Sequence, residues 1–130
     1  VRHTDGGMSC PDVPLCLGQV VPPLVNIQIT SHFLHRAMAI MATAAVLGLY
    51  VWAVRTELPA RVRRWIAAAV GLVLVQVALG VISVLTILAI PPVSLHTLVA
   101  ALLLSLLVAL ATVGTRAEVE ARTQELVSTG

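Results

Sequence analysis

The sequence is short of charge, and it contains no lysine at all. Charged residues make up 11% of the 130 residues, whereas a soluble domain carries about 25%. Hydrophobic residues reach 58%, and the mean hydropathy is +0.99. A soluble fold of this size would leave broad apolar surface in water, so the sequence predicts a lipid bilayer as its solvent.

The same shortage of charge excludes two classes of protein. The formal net charge is only +2, so the chain has no basic surface for a nucleic acid, although the sequence pI is about 9.0. Intrinsic disorder requires low hydrophobicity and high charge, and this composition is the reverse. We therefore expect lipid, and no nucleic acid, as a partner.

The few charged residues divide the chain into three predicted membrane spans. No Asp, Glu, Lys or Arg occurs in residues 65–115, a segment too long for one span of about 20 residues. Pro91 and Pro92 interrupt it, because proline removes a helix donor and restricts the residue before it. The fold class is thus an all-α integral membrane bundle, with spans at residues 28–54, 65–90 and 93–113.

The arginines also predict how the helices are oriented. The connection at residues 55–64 holds four arginines and one glutamate, so the positive-inside rule makes it a basic cytoplasmic loop. Residues 1–27 then lie outside the cell membrane, and the tail at 114–130 lies in the cytoplasm. Trp52 and Trp65 flank the basic loop, where interfacial aromatic residues are common.

The number of spans is unusual for a bundle. A bundle of three helices leaves part of its core uncovered, whereas four helices enclose the core. The sequence begins without methionine and with no hydrophobic segment ahead of the outer loop. We expect a removed signal peptide or, by preference, a preceding helix that would complete a four-helix half.

Two cysteines with five residues between them lie in the predicted outer segment, at Cys10 and Cys16. Thiols outside the cytoplasm tend to oxidise. A disulfide here would be either a structural closure of the loop or a redox-active pair that passes electrons. The spacing is wider than that of a zinc knuckle, which argues against a metal site.

Three histidines are predicted near the outer membrane surface. His32, His35 and Arg36 share one face of the first span, and His96 begins the third span at about the depth of His35. Two histidines at one depth on different helices suit axial ligation of a haem iron. Arg36 could pair with a haem propionate or extend to the lipid headgroups. The alternative is that each histidine only forms a hydrogen bond at the interface.

Gln76 lies midway along the second span, with Gly80 one turn later on the same side. A mid-membrane amide generally seeks a hydrogen bond across helices. We therefore predict a structural role for Gln76 that supports its neighbours.

Taken together, these motifs resemble those of the haem A synthase family. The helical motifs that carry the resemblance are His35-Arg36, Gln76 with Leu79-Gly80, and Leu95-His96. The loop that resembles the family's outer cysteine loop is Gly7-Met8-Ser9-Cys10-Pro11-Asp12-Val13-Pro14-Leu15-Cys16-Leu17-Gly18-Gln19, followed by Pro22-Pro23. The resemblance covers about residues 1–113.

The resemblance implies a membrane oxidoreductase that oxidises a methyl group of haem O to the formyl group of haem A. Family members consist of four-helix halves, mostly two in a fused pseudo-twofold repeat, so a second half or a second copy of the chain is an implied partner. Histidines of the second and fourth helices face a haem, and they match His35 and His96. Haem b, haem O or both, with their iron, are the implied cofactors. The family cysteines match Cys10 and Cys16, which implies a disulfide.

The sequence departs from the family pattern at one residue of the implied site. Substrate halves usually carry a glutamate three residues before the second-helix histidine, and here that residue is His32. A carboxylate could act as a base or stabilise positive charge, whereas a neutral imidazole could act only as the base. His32 is thus the candidate catalytic base. The alternative function is a haem b electron carrier, or a cofactor half that modifies no porphyrin.

Overall fold

The computed structural model describes residues 9–129, so residues 1–8 of the predicted outer segment and Gly130 lie outside the described range. Its regular structure consists of three helices, α1 (Ile27–Arg55), α2 (Ala60–Leu85) and α3 (Ile90–Thr129). Each contains a segment long and apolar enough to cross a membrane, in α3 the segment Ile90–Arg116. The predicted all-α membrane fold is confirmed.

Helix α1 begins at a side-chain cap. Asn26 is extended, with φ −145° and ψ 163°, and its Oδ1 accepts the Ile29 N–H at 2.9 Å. The Thr30 hydroxyl donates to the Asn26 carbonyl oxygen at 2.9 Å and so lies inside the first turn. The cap satisfies one of the backbone donors that the first helical turn leaves without a partner.

The connection between α1 and α2 is shorter than the predicted basic loop at residues 55–64. Only residues 56–59 lie outside the helices. Three of the loop's four arginines therefore lie on the first turns of α2, and the guanidinium of Arg61 sits over the Trp65 ring, 5.2 Å from its centroid. This is a cation–π contact at the membrane interface.

The connection between α2 and α3 lies before Pro91 and Pro92, the residues that predicted it. Helix α2 ends at Leu85 rather than at residue 90, and the chain turns at residues 86–89. Ile87 and Leu88 have left-handed φ angles of 52° and 58°, and the Leu88 N–H returns to the Ser83 carbonyl oxygen at 2.8 Å. Pro91 and Pro92 instead start α3, because the first turn of a helix needs no backbone N–H donors.

Helix α2 is the central element, and it packs against both neighbours. Val46 of α1 and the α2 residues Ala69 and Val73 form the buried centre. Partly buried side chains complete this core, namely Val70, Leu103, Leu106 and Leu107. Large apolar side chains elsewhere on the helices are exposed, Met38, Ile40 and Leu104 among them. Such an outer surface suits lipid or a further helix, not water.

Candidate functional site

A short loop before α1 is closed by a disulfide between Cys10 and Cys16, whose Cα atoms are 4.6 Å apart. Both cysteines are buried. Cys16 and Gln19 exchange two backbone hydrogen bonds of 3.0 and 3.1 Å across a tight turn. Gly18 lies in this turn at φ +71°, where glycine carries no steric penalty, and its N–H donates to Asp12 Oδ2 at 2.9 Å. We call residues 10–19 the cysteine loop.

Arg36 holds the cysteine loop against α1. Its Nη1 donates to the carbonyl oxygens of Asp12 at 2.7 Å and Leu15 at 2.6 Å, and its Nη2 donates to that of Cys10 at 2.7 Å. A guanidinium has five N–H donors in a rigid fork, which allows one side chain to join three points of a loop. The structure thus gives Arg36 a loop-binding role that the sequence did not indicate.

His32 is the second connection between α1 and the loop. It is 4% exposed, and its Nδ1 accepts the Cys10 N–H at 3.3 Å. Cys10 therefore touches α1 through its N–H at His32 and through its carbonyl oxygen at Arg36. The predicted catalytic base lies beneath the disulfide, with one ring nitrogen already used as an acceptor.

His35 and His96 meet between α1 and α3. Their ring centroids are 6.2 Å apart, and the ring planes lie at 68° to each other. His35 is on the exposed side of α1, whereas His96 is half-buried against α2. Two helices that are distant in sequence thus bring two imidazoles together near the end of the bundle that carries the cysteine loop.

The backbone and side chain of Gln76 fix the His96 ring. Its backbone carbonyl lies 3.1 Å from His96 Nδ1, and its side-chain Nε2 lies 3.2 Å from His96 Nε2. A carbonyl only accepts, so Nδ1 carries the proton and Nε2 accepts from the amide. The predicted interhelical hydrogen bond of Gln76 is confirmed. Gln76 Oε1 is buried and has no hydrogen-bond partner within the described range.

Gly80 leaves the space that the His96 ring occupies. A Cβ atom added at this glycine would lie 3.2 Å from His96 Cε1 and 3.6 Å from Nδ1. The first distance is shorter than ordinary van der Waals contact, so the ring would have to shift. Helical spacing predicts that Gly80 lies beside Gln76, but no feature of the sequence indicated that His96 is the residue packed against Gly80.

The structure therefore divides the predicted site residues between two neighbouring groups. His32 and Arg36 bind the loop that Cys10 and Cys16 close. His35 and His96 form a separate pair, supported from α2. Among the side chains that the structure describes, no three of His, Cys, Asp or Glu are grouped as a metal ion held by side chains alone would require. Asp12 and Gly18 were missed by the sequence analysis, because neither residue type in a loop points to a particular partner.

Three membrane-length helices, a disulfide-closed loop and a facing histidine pair define a multi-pass helical membrane protein. The chain belongs to the COX15-CtaA family of cytochrome oxidase assembly proteins, which matches residues 23–108. This match includes the first two membrane-length segments completely and the third as far as residue 108. No solved structure matches the chain significantly.

Curated relatives include several proteins named heme A synthase. The one from Shouchella clausii is 40% identical over 87 residues, which cover 66% of this chain and 29% of the relative. The one from Bacillus cereus is 32% identical over 130 residues, covering 98% of this chain and 41% of the relative. A protoheme IX farnesyltransferase of Thermus thermophilus is 38% identical over 56 residues, 42% of this chain and 9% of that protein. The chain thus spans less than half the length of these relatives.

Proposed function

We propose that the chain forms one haem-binding half of a haem A synthase-like oxidoreductase, which oxidises a methyl group of haem O to the formyl group of haem A. His35 and His96 are the proposed axial ligands of the haem iron. The observation that carries this proposal is the approach of the two rings to 6.2 Å from different membrane helices. Membership of a family that includes proteins named heme A synthase supplies the reaction.

The His96 side chain fits a role as iron ligand. Metal-binding histidines usually donate their other ring N–H to a carbonyl or carboxylate, which fixes the tautomer and the orientation of the ring. Here the Gln76 carbonyl oxygen accepts from Nδ1, so Nε2 keeps its lone pair. The side-chain amide of Gln76 donates to Nε2, while its own oxygen, Oε1, has no hydrogen-bond partner among the described residues. Iron binding at Nε2 would therefore displace an amide of which only the nitrogen is hydrogen-bonded.

The proposed chemistry divides between the cofactor and the chain. When bound, the haem supplies the redox chemistry, while the protein supplies ligation and orientation. Oxidation of a methyl to a formyl group removes four electrons, and a disulfide accepts two. The pair Cys10–Cys16 could therefore pass electrons only by being reduced and reoxidised twice per product. A structural role in closing the loop requires no such turnover.

Arg36 is also the proposed partner of a haem propionate. Three of its five N–H donors are used by loop carbonyl oxygens, which leaves two for an anionic group. Because Arg36 is adjacent to His35, a propionate held there would be close to one of the proposed ligands. His32 is the proposed base for the oxidation in this half, and to accept a proton its Nδ1 would have to release the Cys10 N–H, because a neutral imidazole has one acceptor nitrogen.

A second candidate function is a haem b site that carries electrons and leaves the porphyrin unchanged. The observation in its favour is that His32 already accepts the Cys10 N–H through Nδ1. A histidine that holds the loop in this way is not required to exchange protons with a substrate. In this case the chain would be the cofactor half, and the second half or a second copy of the chain would bind haem O.

The membrane arrangement that goes with either function is also a proposal. The cysteine loop would lie outside the cell membrane and the C-terminal end of α3 in the cytoplasm. In this arrangement of three helices, the side of α1 that carries His35 is exposed. A further helix, from a longer chain or a second copy, would cover that side and complete the pocket for the porphyrin.

Optical spectra of ligand variants test the haem site. His35→Ala or His96→Ala in the full-length purified protein should abolish the low-spin haem spectrum or convert it to a high-spin one, because each removes one axial ligand. Thr97→Ala is the matched control, since its hydroxyl donates only to Val93 of its own helix. A wild-type spectrum in both histidine variants would refute the ligand assignment.

Extraction of the bound haem separates the two candidate functions. Haem O or haem A beside haem b in the wild-type protein indicates a synthase, and haem b alone indicates a carrier or cofactor half. If the protein converts haem O, His32→Ala should abolish the conversion and leave the low-spin spectrum in place. Unchanged conversion in this variant would remove His32 from the reaction.

A further inference from the structure

A groove at the opposite end of the bundle from the cysteine loop has no part in the proposed haem chemistry. It has a volume of about 500 Å³ and runs along the seam between α1 and α2. The residues that line it are Tyr50, Val54, Ala60, Arg63, Arg64 and Ala67. Trp52 and Trp65, which are typical of the membrane interface, lie beside this group in the sequence.

The spacing of the lining residues explains the groove. Residues 60, 63, 64 and 67 follow each other at intervals of three, one and three, so they form one face over two turns of α2. Tyr50 and Val54 are four apart and face it from α1. Ala60 and Ala67 are small and leave room above and below the arginine pair.

The two arginines give the groove its chemical character. Both are exposed, and among the side chains that the structure describes neither guanidinium has a carboxylate or a carbonyl oxygen as a partner. Arg61, on the same turn, differs because it is stacked on Trp65. A groove lined by two arginines and a tyrosine suits a phosphate group, which guanidinium binds in a bidentate manner.

We propose that this groove binds the headgroup of an anionic phospholipid. Charge complementarity favours an anion, and the position on membrane helices, with apolar walls at Val54, Ala60 and Ala67, favours a lipid over a soluble phosphate. Basic pockets between membrane helices are known to bind anionic headgroups. The phosphate would lie between Arg63 and Arg64, with the acyl chains along the helix seam.

Tryptophan quenching by brominated lipids measures this binding, because the only two tryptophans of the sequence, Trp52 and Trp65, are at this end. The chain is reconstituted in phosphatidylcholine vesicles that contain brominated phosphatidylglycerol or, in parallel, an equal fraction of brominated phosphatidylcholine. We expect stronger quenching by phosphatidylglycerol in the wild-type protein. Equal quenching by the two lipids would overturn the proposal.

A double variant localises the effect to the groove. Arg63→Gln with Arg64→Gln should remove most of the preference for phosphatidylglycerol, because the groove then has no cation to pair with the phosphate. The control is Arg55→Gln with Arg116→Gln, which removes two charges from the same end of the bundle but none from the groove. An equal loss in this control would mean diffuse surface charge and would refute a specific site.

Two further measurements keep the proposal testable if the double variant folds poorly. Arg63→Lys with Arg64→Lys retains the charge but not the bidentate fork, so it should keep part of the wild-type preference for phosphatidylglycerol. Excess inorganic phosphate should leave the quenching of the wild-type protein unchanged. Displacement by phosphate, or a lysine pair with no preference for phosphatidylglycerol, would overturn the assignment to a lipid.

Discussion

At the scale of single residues, the position of the His96 ring depends on Gly80. Two opposing effects act on a Gly80→Ala variant. Alanine favours a helix by about 1 kcal/mol over glycine, but overpacking a tight contact costs about 1–3 kcal/mol. Because the added Cβ would lie 3.2 Å from His96 Cε1, we expect the steric cost to equal or exceed the gain. The ring should also move away from the Gln76 carbonyl oxygen.

Thermal unfolding in detergent, followed by circular dichroism, tests this prediction. Gly71→Ala in the same helix is the control, since a Cβ there meets no atom within 4 Å. It should be neutral or raise the melting temperature, whereas Gly80→Ala should lower it or leave it unchanged. If both variants raise the melting temperature equally, His96 does not pack against Gly80 as described.

At the scale of the elements, the cysteine loop depends on α1 through Arg36. Arg36→Gln removes the charge from three hydrogen bonds, and the local stability of the loop should fall by about 1–3 kcal/mol. The measurement is hydrogen exchange at the amides of Cys16, Gly18 and Gln19, which donate within the loop. The fold of the three helices should persist, because their core lies around Ala69 and Val73.

Two further variants serve as comparisons for the effect of Arg36→Gln on the loop. Arg36→Lys keeps the charge but not the fork, so the protection of the loop amides should fall between wild type and Arg36→Gln. Arg55→Gln removes an arginine from the other end of α1 and should leave these amides unchanged. Wild-type protection in Arg36→Gln would mean that the disulfide and the His32 contact maintain the loop without Arg36.

The helices illustrate what a sequence of this kind can and cannot predict. Their number, type and approximate position follow from hydrophobicity and charge, because each span must be apolar over the thickness of the bilayer. The turn at residues 86–89 was displaced because Thr86, Ile87 and Leu88 resemble their helical neighbours, whereas Pro91 and Pro92 are conspicuous. Without a capping residue beside it, a proline that starts a helix cannot be distinguished in the sequence from a proline that follows the end of a helix.

The site illustrates the same limit in three dimensions. The depth of His35 and His96 could be inferred by counting along the spans, and the structure brings the two rings together. The contacts of Arg36 could not be inferred, because they depend on carbonyl oxygens whose positions the residue types do not encode. Side-chain pairs on regular helices can be predicted from their spacing in the sequence. Contacts with an irregular loop can be predicted only when the path of the loop backbone is known.

At the scale of the whole molecule, the two ends of the bundle differ in character. One end carries the cysteine loop and the uncharged turn at residues 86–89, and the other carries the arginines of residues 55–64 and Arg116. Because cationic loops are retained in the cytoplasm, this asymmetry is the basis of the proposed orientation, with the arginine end inside and the cysteine loop outside. The same orientation would place the proposed haem site near the outer surface and the lipid groove at the cytoplasmic leaflet.

Cysteine labelling in cells tests that orientation. Val20 is 79% exposed beyond the cysteine loop, and Ser128 is exposed near the end of α3. A membrane-impermeant maleimide should label Val20→Cys in intact cells and Ser128→Cys only after permeabilisation, while the disulfide keeps Cys10 and Cys16 unreactive. Permeabilised cells, in which both variants should react, control for expression and access. The reverse pattern would put the arginines outside, against the charge bias that determines topology, and would move the proposed haem site to the cytoplasmic side.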